Sequence, residues 1–239
     1  MAKQFWKAGN MLYPVPAVMV SCNREGEKPN IITVAWAGTI CTNPAMLSIS
    51  VRPERYSYDI IKETKEFVVN LTTEELTYAT DYCGVRSGSK VDKFKEMNLT
   101  PQPSQKVKAV GIAESPVNIE CRVVEIKELG SHHLFLAEVV GVTVEERYID
   151  ESGKFHLNDT GLVAYSHGEY FALGEQLGKF GYSVQKKKNK KEPQKEQKSQ
   201  PQKAKEAPSK KKEVGKKGQG NLTEKRRKHD KKKTQKKRR

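Results

Sequence analysis

Ser48, Ser50 and Arg52 occupy alternate positions of one short segment, and Arg55 and Ser57 follow directly after it. Hydroxyls and guanidinium groups gathered this closely are the residue types that hold an anion. A dianionic phosphate is met by a guanidinium fork, by hydroxyl donors and by the free N–H groups of a helix start, and each charge-assisted bond is stronger than a neutral one. The helix start is also present. Pro53-Glu54-Arg55-Tyr56 interrupts the segment, and Ser57 is placed to cap a helix beginning Tyr58-Asp59-Ile60-Ile61-Lys62. A helix N-terminus beside Arg52 and Arg55 is an anion site. Strand parity sets Arg52 on the side of Ser48 and Ser50, so Arg52 is the arginine expected to face the ligand. The competing reading of both arginines is solvated pairing with Glu54 or Asp59.

The elements that would position these groups are mostly strands. Met46 to Arg52 alternates, with Leu47, Ile49 and Val51 on one face and the polar groups on the other, as in a strand lying between a core and something polar. Asn30 to Trp36 is β-branched and apolar and predicts a second strand, with Thr42-Asn43-Pro44 a turn between the two. Pro16 to Cys22 is a short apolar strand, joined to the next by the polar turn Arg24 to Lys28. A helix is expected near 58–65, a strand over Phe67 to Leu71, and a second helix opened by a Thr73 cap and running to about Cys83-Gly84. Ser87 to Lys93 reads as a polar loop and Asp92 to Met97 as a short helix. Val117 to Leu129 and Leu134 to Val144 are long strands meeting in a hairpin around Gly130-Ser131. Residues 155–182 read as irregular, with one final turn of helix. Six or so strands with two helices inserted after the third define a β-rich α+β domain, consistent with a closed antiparallel barrel.

In this order, the Asn30–Trp36 strand, the Ser48–Ser57 segment, Ser87-Gly88-Ser89-Lys90-Val91-Asp92-Lys93-Phe94 and the His132-His133 pair resemble the flavin-reductase-like family with its FMN-binding split β-barrel, and within it the flavoredoxin branch. The resemblance spans roughly residues 5 to 180. It implies FMN as cofactor, a homodimer with FMN at the subunit interface, and cofactor contacts from Asn30, Thr33, Trp36, Ser50, Arg52, Ser57, Lys93, His132 and Tyr165. Trp36 would touch the isoalloxazine ring; the alternative is a core or interface aromatic. Asn30 shares the face of Trp36 by parity, its alternative being turn chemistry after Pro29. Thr33 points to the opposite face, so its contact needs a bulge or runs through its backbone. Lys93 matches a basic residue set against the flavin, its alternative being a solvated helix lysine, and Ser87 and Ser89 are hydrogen-bonding companions. His132 and His133, adjacent in a strand, must point to opposite sides, and the resemblance selects His132. Tyr165 matches an aromatic near the dimethylbenzene edge or else is a packing residue.

No Ser-His-Asp or Cys-His pattern stands out, and no G-x-G-x-x-G opens a helix. Reduction would therefore draw on NAD(P)H bound transiently over FMN, hydride passing from nicotinamide C4 to flavin N5, or on an electron-transfer protein. The cofactor carries that chemistry, so no catalytic acid or base is assigned. Pyridoxamine-phosphate oxidation or haem handling are other activities of such a barrel, and fold alone does not choose among them. His156 and His167 complete no metal-ligand spacing, and Cys22, Cys41, Cys83 and Cys121, without a C-x-x-C pair, are expected as reduced, partly buried thiols. With neither a signal-peptide pattern nor an apolar run of membrane-spanning length, a cytoplasmic protein is expected.

The charge is divided unequally. Residues 184–239 hold 25 Lys+Arg against 6 Asp+Glu, a net +19, whereas residues 1–183 hold 19 against 23, a net −4. The basic segment has no Phe, Trp or Tyr and too few aliphatic residues to offset ordering entropy, so it is expected to be a disordered tail following a 1–183 domain. Its composition suits RNA, DNA or another polyanion, and a second reading of the whole protein is a polyanion binder that uses the barrel as scaffold. Mixed-sequence RNA or heparin should bind the full chain and not residues 1–183. The RNA affinity should fall with salt at a slope of roughly −0.7 per phosphate contact. RNA binding that persists without the tail would move the polyanion site to the folded domain; no binding at low salt would leave the tail a solubilising extension.

Overall fold

The computed structural model describes residues 1–185; the basic segment from residue 186 onward, and the disorder expected of it, lie outside the described residues. In chain order the elements are β1 (Val15–Pro16), β2 (Val18–Cys22), β3 (Asn30–Val34), β4 (Ala37–Thr42), β5 (Ala45–Val51), α1 (Tyr56–Thr64), β6 (Glu66–Leu71), α2 (Thr77–Val85), α3 (Lys93–Glu96), β7 (Pro101–Gln102), β8 (Gly111–Ile112), β9 (Val117–Glu128), β10 (His133–Val144), β11 (Val163–Ser166) and β12 (Glu169–Ala172). Seven strands form one antiparallel sheet in the order β3-β2-β6-β9-β10-β5-β4. The sheet curls into a half-barrel, giving the β-rich α+β fold that the strand pattern implied.

Burial explains why the strands read as they do. One face of the sheet turns Val18, Val20, Ile32, Val34, Ile49, Val51, Phe67 and Phe135 into the principal core. Helix α1 plugs this core with Tyr58, Ile60 and Ile61. On the outer face of β2 and β3, Met19 and Ile31 pack under α2 and α3, against Ala79, Cys83 and Phe94. Strands covered on both sides lose their alternation, and β2, Val-Met-Val-Ser-Cys, is accordingly buried at every position. Strand β5, with only one face covered, keeps it. Buried polar groups are paired. Asn70 donates to the Met19 carbonyl and the Ser21 hydroxyl, and its Oδ1 accepts from Ile112 N–H and the Asn118 amide.

Several boundaries differ from the sequence expectations. Strand β3 ends at Val34, and Ala35 and Trp36 form a bend instead of its last two residues. The reason is a hydrogen bond from Ser50 N–H to the Trp36 carbonyl at 2.8 Å, which draws the chain onto β5. Strand β4 then runs back along β5, pairing Ala37 with Ile49 and Thr42 with Ala45. It is exposed along most of its length, so no buried face imprints an alternation on its sequence. Helix α1 begins at Tyr56 with Arg55 as N-cap and no side-chain cap, so Ser57 sits inside the first turn and is not the cap. Thr73 is not a cap either. Helix α2 starts at Thr77, after a turn in which Leu76 N–H donates to the Thr73 carbonyl. One helix follows β5 and two follow β6, in place of two helices after the third strand. The 155–182 stretch holds a helical turn at Leu157–Thr160 and the hairpin β11–β12, which pairs with β1.

Candidate functional site

Two adjoining cavities meet at Trp36, Ser50 and His132. The smaller, about 140 Å³, is walled by Ile32 to Trp36, Ser50 to Arg52, Arg55 and His132. The larger, about 600 Å³, is walled by Gly9 to Leu12 together with Trp36, Ser50, Ser131 and His132. Each shared residue is held by a distinct element. Ser50 is on the polar face of β5, opposite Leu134 of β10, and its backbone fixes Trp36. Trp36 lies at the β3–β4 corner with its ring 6.0 Å from that of Tyr13. His132 closes the β9–β10 hairpin and shares a 3.0 Å hydrogen bond between its Nδ1 and the Ser131 hydroxyl.

The electrostatics of the cleft are one-sided. Arg52, just past β5, pairs through Nε with Glu54 Oε1 at 2.7 Å, which is the solvated pairing weighed from the sequence. It nevertheless lines the smaller cavity, and so does Arg55, the N-cap of α1. Both arginines face the cleft, where parity had selected one; Arg55 is placed by the helix start and not by the strand. Burial, followed by the nearby Arg52 charge, holds the His132 pKa below the ordinary imidazole value, so His132 is neutral at pH 7. His133 turns to the other side of the sheet, with Nδ1 2.7 Å from the Tyr58 hydroxyl.

Other expected residues sit elsewhere. Asn30 and Ser57, 4% and 1% exposed, are bonded to each other, Asn30 Nδ2 donating to Ser57 Oγ at 2.7 Å. The backbone of Gly88 lies against Asn30 and Tyr56, so closely that a Cβ there would stand 2.0 Å from Asn30 Oδ1 and 2.8 Å from Tyr56 Cδ1. Asn30 therefore does not share a ligand face with Trp36, because the bend after Val34 breaks the parity. The Asn30–Ser57 bond instead ties the start of α1 to the start of β3 and thereby sets Arg55 in place. Thr33 lines the smaller cavity, but its hydroxyl donates to the Thr80 carbonyl on α2. Its backbone is the part left to the cleft. Lys93 is not solvated and lines neither of these two cavities. It is 3% exposed, and its Nζ donates to the carbonyls of Ile31 at 2.5 Å and Cys83 at 2.7 Å, pinning α2 and α3 to β3. Tyr165 is separated from Trp36 by Tyr13, which contacts both rings. Sequence reasoning missed Gly9 to Leu12, which belong to no strand or helix and carry no periodic signal.

Against known proteins, residues 10–174 match the family model for the flavin reductase like domain. A protein of Archaeoglobus fulgidus is 36% identical over 160 residues, covering 67% of this chain and 88% of its own. The flavoredoxin of Desulfovibrio vulgaris (Miyazaki F) superposes with a TM-score of 0.71 at 31% identity, over 77% of this chain and all of the other. The flavoredoxin of Methanosarcina acetivorans gives 0.68 at 29% identity, over the same shares. The chain belongs to the flavin reductase-like family, which places it among the flavin-linked oxidoreductases. Among the described residues no helix is long and apolar enough to cross a membrane, and no group of His, Cys, Asp and Glu side chains is arranged to hold a metal ion.

Lys93 gives a test of the scaffold beneath the cleft. Burial lowers its pKa from 10.5 to about 8. Between these values the unfolded chain binds more protons than the folded one, so this group makes stability rise as the pH goes from about 8 to 10.5. Urea unfolding across that window should show the rise in the natural chain and its loss in Lys93→Met. An identical pH slope in the two proteins would mean that Lys93 is not held in a desolvated site.

Proposed function

We propose that this protein is an FMN-dependent oxidoreductase, a flavin reductase or a flavoredoxin-type electron carrier, working as a homodimer. The observation that carries the reading is the pair of arginines at one end of a cleft whose middle is an indole and a neutral imidazole, in a chain of this family. FMN has an anionic end and a flat, weakly polar end, and the donor set fits both. Arg52, Arg55 and the Ser50 hydroxyl would hold the phosphate, the charged forks contributing direction as well as charge. Trp36, His132 and the backbone from Ile32 to Ala35 would border the ring. When bound, the flavin supplies a hydride and electron acceptor at N5. The chain's part is to orient the ring, to exclude water on the Trp36 side and to present an uncharged imidazole beside it. The reductant is NAD(P)H or an electron-transfer protein. Both flavoredoxin likenesses and the family match favour this reading over pyridoxamine-phosphate oxidation and haem handling.

The dimer is supported by the apolar surface of a single chain. Phe5, Trp6, Phe171, Leu173 and Phe180 are exposed, and the uncharged edge strand β4 leaves backbone groups unpaired beside the cleft. Exposed aromatics and a neutral edge are surfaces that a second copy covers.

Two measurements test these statements. Arg52→Ala should weaken FMN about tenfold while leaving riboflavin nearly unchanged, as expected for loss of one charge-assisted contact from a half-exposed arginine. Equal weakening of both ligands would place the phosphate elsewhere. Sedimentation of the full chain should give twice the monomer mass, and a monomer that still binds FMN would refute the dimer.

A further inference from the structure

A line of aromatic rings leads away from the cleft. It starts at Trp36, which lines both cavities and is therefore reached by small solutes. The indole lies 6.0 Å from the ring of Tyr13, Tyr13 lies 6.3 Å from Tyr165, and Tyr165 lies 5.4 Å from Tyr170. The backbone holds this order. Tyr13 precedes β1, β1 pairs Val15 with Tyr165 on β11, and β11 pairs Tyr165 with Tyr170 on β12.

The line ends at a proton acceptor. The Tyr170 hydroxyl donates to Asp81 Oδ1 at 3.4 Å, and Asp81 is an exposed residue of α2. Burial, followed by the Asp81 charge, pushes the Tyr170 phenol up to about 12, so it keeps its proton at neutral pH and has a carboxylate to give it to. Packing accounts for each ring pair taken singly. It does not account for four oxidisable rings joined end to end, with the carboxylate-bonded phenol at the end farthest from the cleft. Indoles and phenols are side chains that yield a single electron to a strong oxidant, and a phenol does so more readily when its proton has somewhere to go.

We propose that Trp36, Tyr13, Tyr165 and Tyr170 form a relay that carries oxidising equivalents from the cleft to the surface, the oxidant being a small oxygen- or nitrogen-centred radical. The radical takes one electron from the Trp36 indole and is reduced to its anion. Tyr13 returns an electron to the indole, Tyr165 to Tyr13, and Tyr170 to Tyr165. The Tyr170 phenolic proton passes to Asp81, leaving a neutral phenoxyl radical at Tyr170, with Trp36, Tyr13 and Tyr165 unchanged. The relay thus moves oxidative damage from the aromatic wall of the cleft to a residue outside it. It is independent of the flavin reading, because the rings and the proton acceptor all belong to the chain.

The test is pulse radiolysis of the full chain with azidyl radicals, which oxidise indoles selectively. The other tryptophan, Trp6, is exposed and is replaced in every protein tested by Trp6→Phe, so that the indole signal belongs to Trp36. The indolyl absorbance should decay as the phenoxyl absorbance rises, at one shared rate that does not change with protein concentration. Tyr13→Phe keeps the ring without its oxidisable hydroxyl and should lose this coupled phase. An unchanged coupled phase in Tyr13→Phe overturns the proposal, and so does a rate proportional to protein concentration, which would mean transfer between molecules. Mapping a spin-trap adduct by mass spectrometry needs no change within the relay. The adduct should lie on Tyr170, and its absence there overturns the proposal. Asp81→Asn should deplete that adduct; an undiminished adduct overturns Asp81 as the proton acceptor.

Discussion

The cleft depends on how the curled sheet closes. Strand β3 lies at one end of the seven-stranded order and β5 near the other, and the two are brought together because the face they share must be buried. Ile32 and Val34 from one side, Ile49 and Val51 from the other, and Phe67 and Phe135 between them form a continuous apolar filling. Removing that surface from water is the largest favourable contribution to such a fold. Closure leaves one direction-specific contact at the seam, the bond from Ser50 N–H to the Trp36 carbonyl. It turns the chain from β3 into β4 and sets the indole beside the Ser50 hydroxyl. Without curling, Trp36 would be the end of a strand and Ser50 one residue of an exposed face.

Beneath the cleft lies a layer of buried polar groups whose work is positional. Lys93 reaches two carbonyls on different elements, and Asn30 reaches Ser57, so α1, α2, α3 and β3 are tied at the point where the arginines emerge. Such groups are costly to bury and are retained only when satisfied. The same desolvation that depresses the Lys93 pKa pushes the Cys83 thiol up to about 11 and the Cys22 thiol up to about 12, which leaves both sulfurs protonated and unreactive at neutral pH. The close approach of Gly88 to Asn30 seals this layer, with no space for a side chain.

Charge is distributed on two scales. Within the cleft, Arg52 and Arg55 line one compartment, and no Lys, Arg, Asp or Glu lines the other. Across the chain, residues 1–183 are net −4 and the remainder net +19. The segment matched by the family model ends at residue 174, so the strongly basic part lies outside it.

Much of this was legible in the sequence, for a physical reason that also sets the limit. Alternation along Met46–Arg52 placed Ser50 on the polar face, and the long 117–144 hairpin followed from strand pattern and Gly130. These features depend on local geometry, which a sequence encodes directly. His132, expected in the strand, lies in the bend just before β10. Local parity misled at Trp36, because a bend made by a partner strand interrupts the strand. It could not show that Asn30 and Ser57 find each other, that Lys93 is buried against carbonyls, or that Gly9–Leu12 forms a wall of the cleft. Those outcomes are settled by contacts between residues far apart in the chain, and such contacts exist only once the sheet has closed.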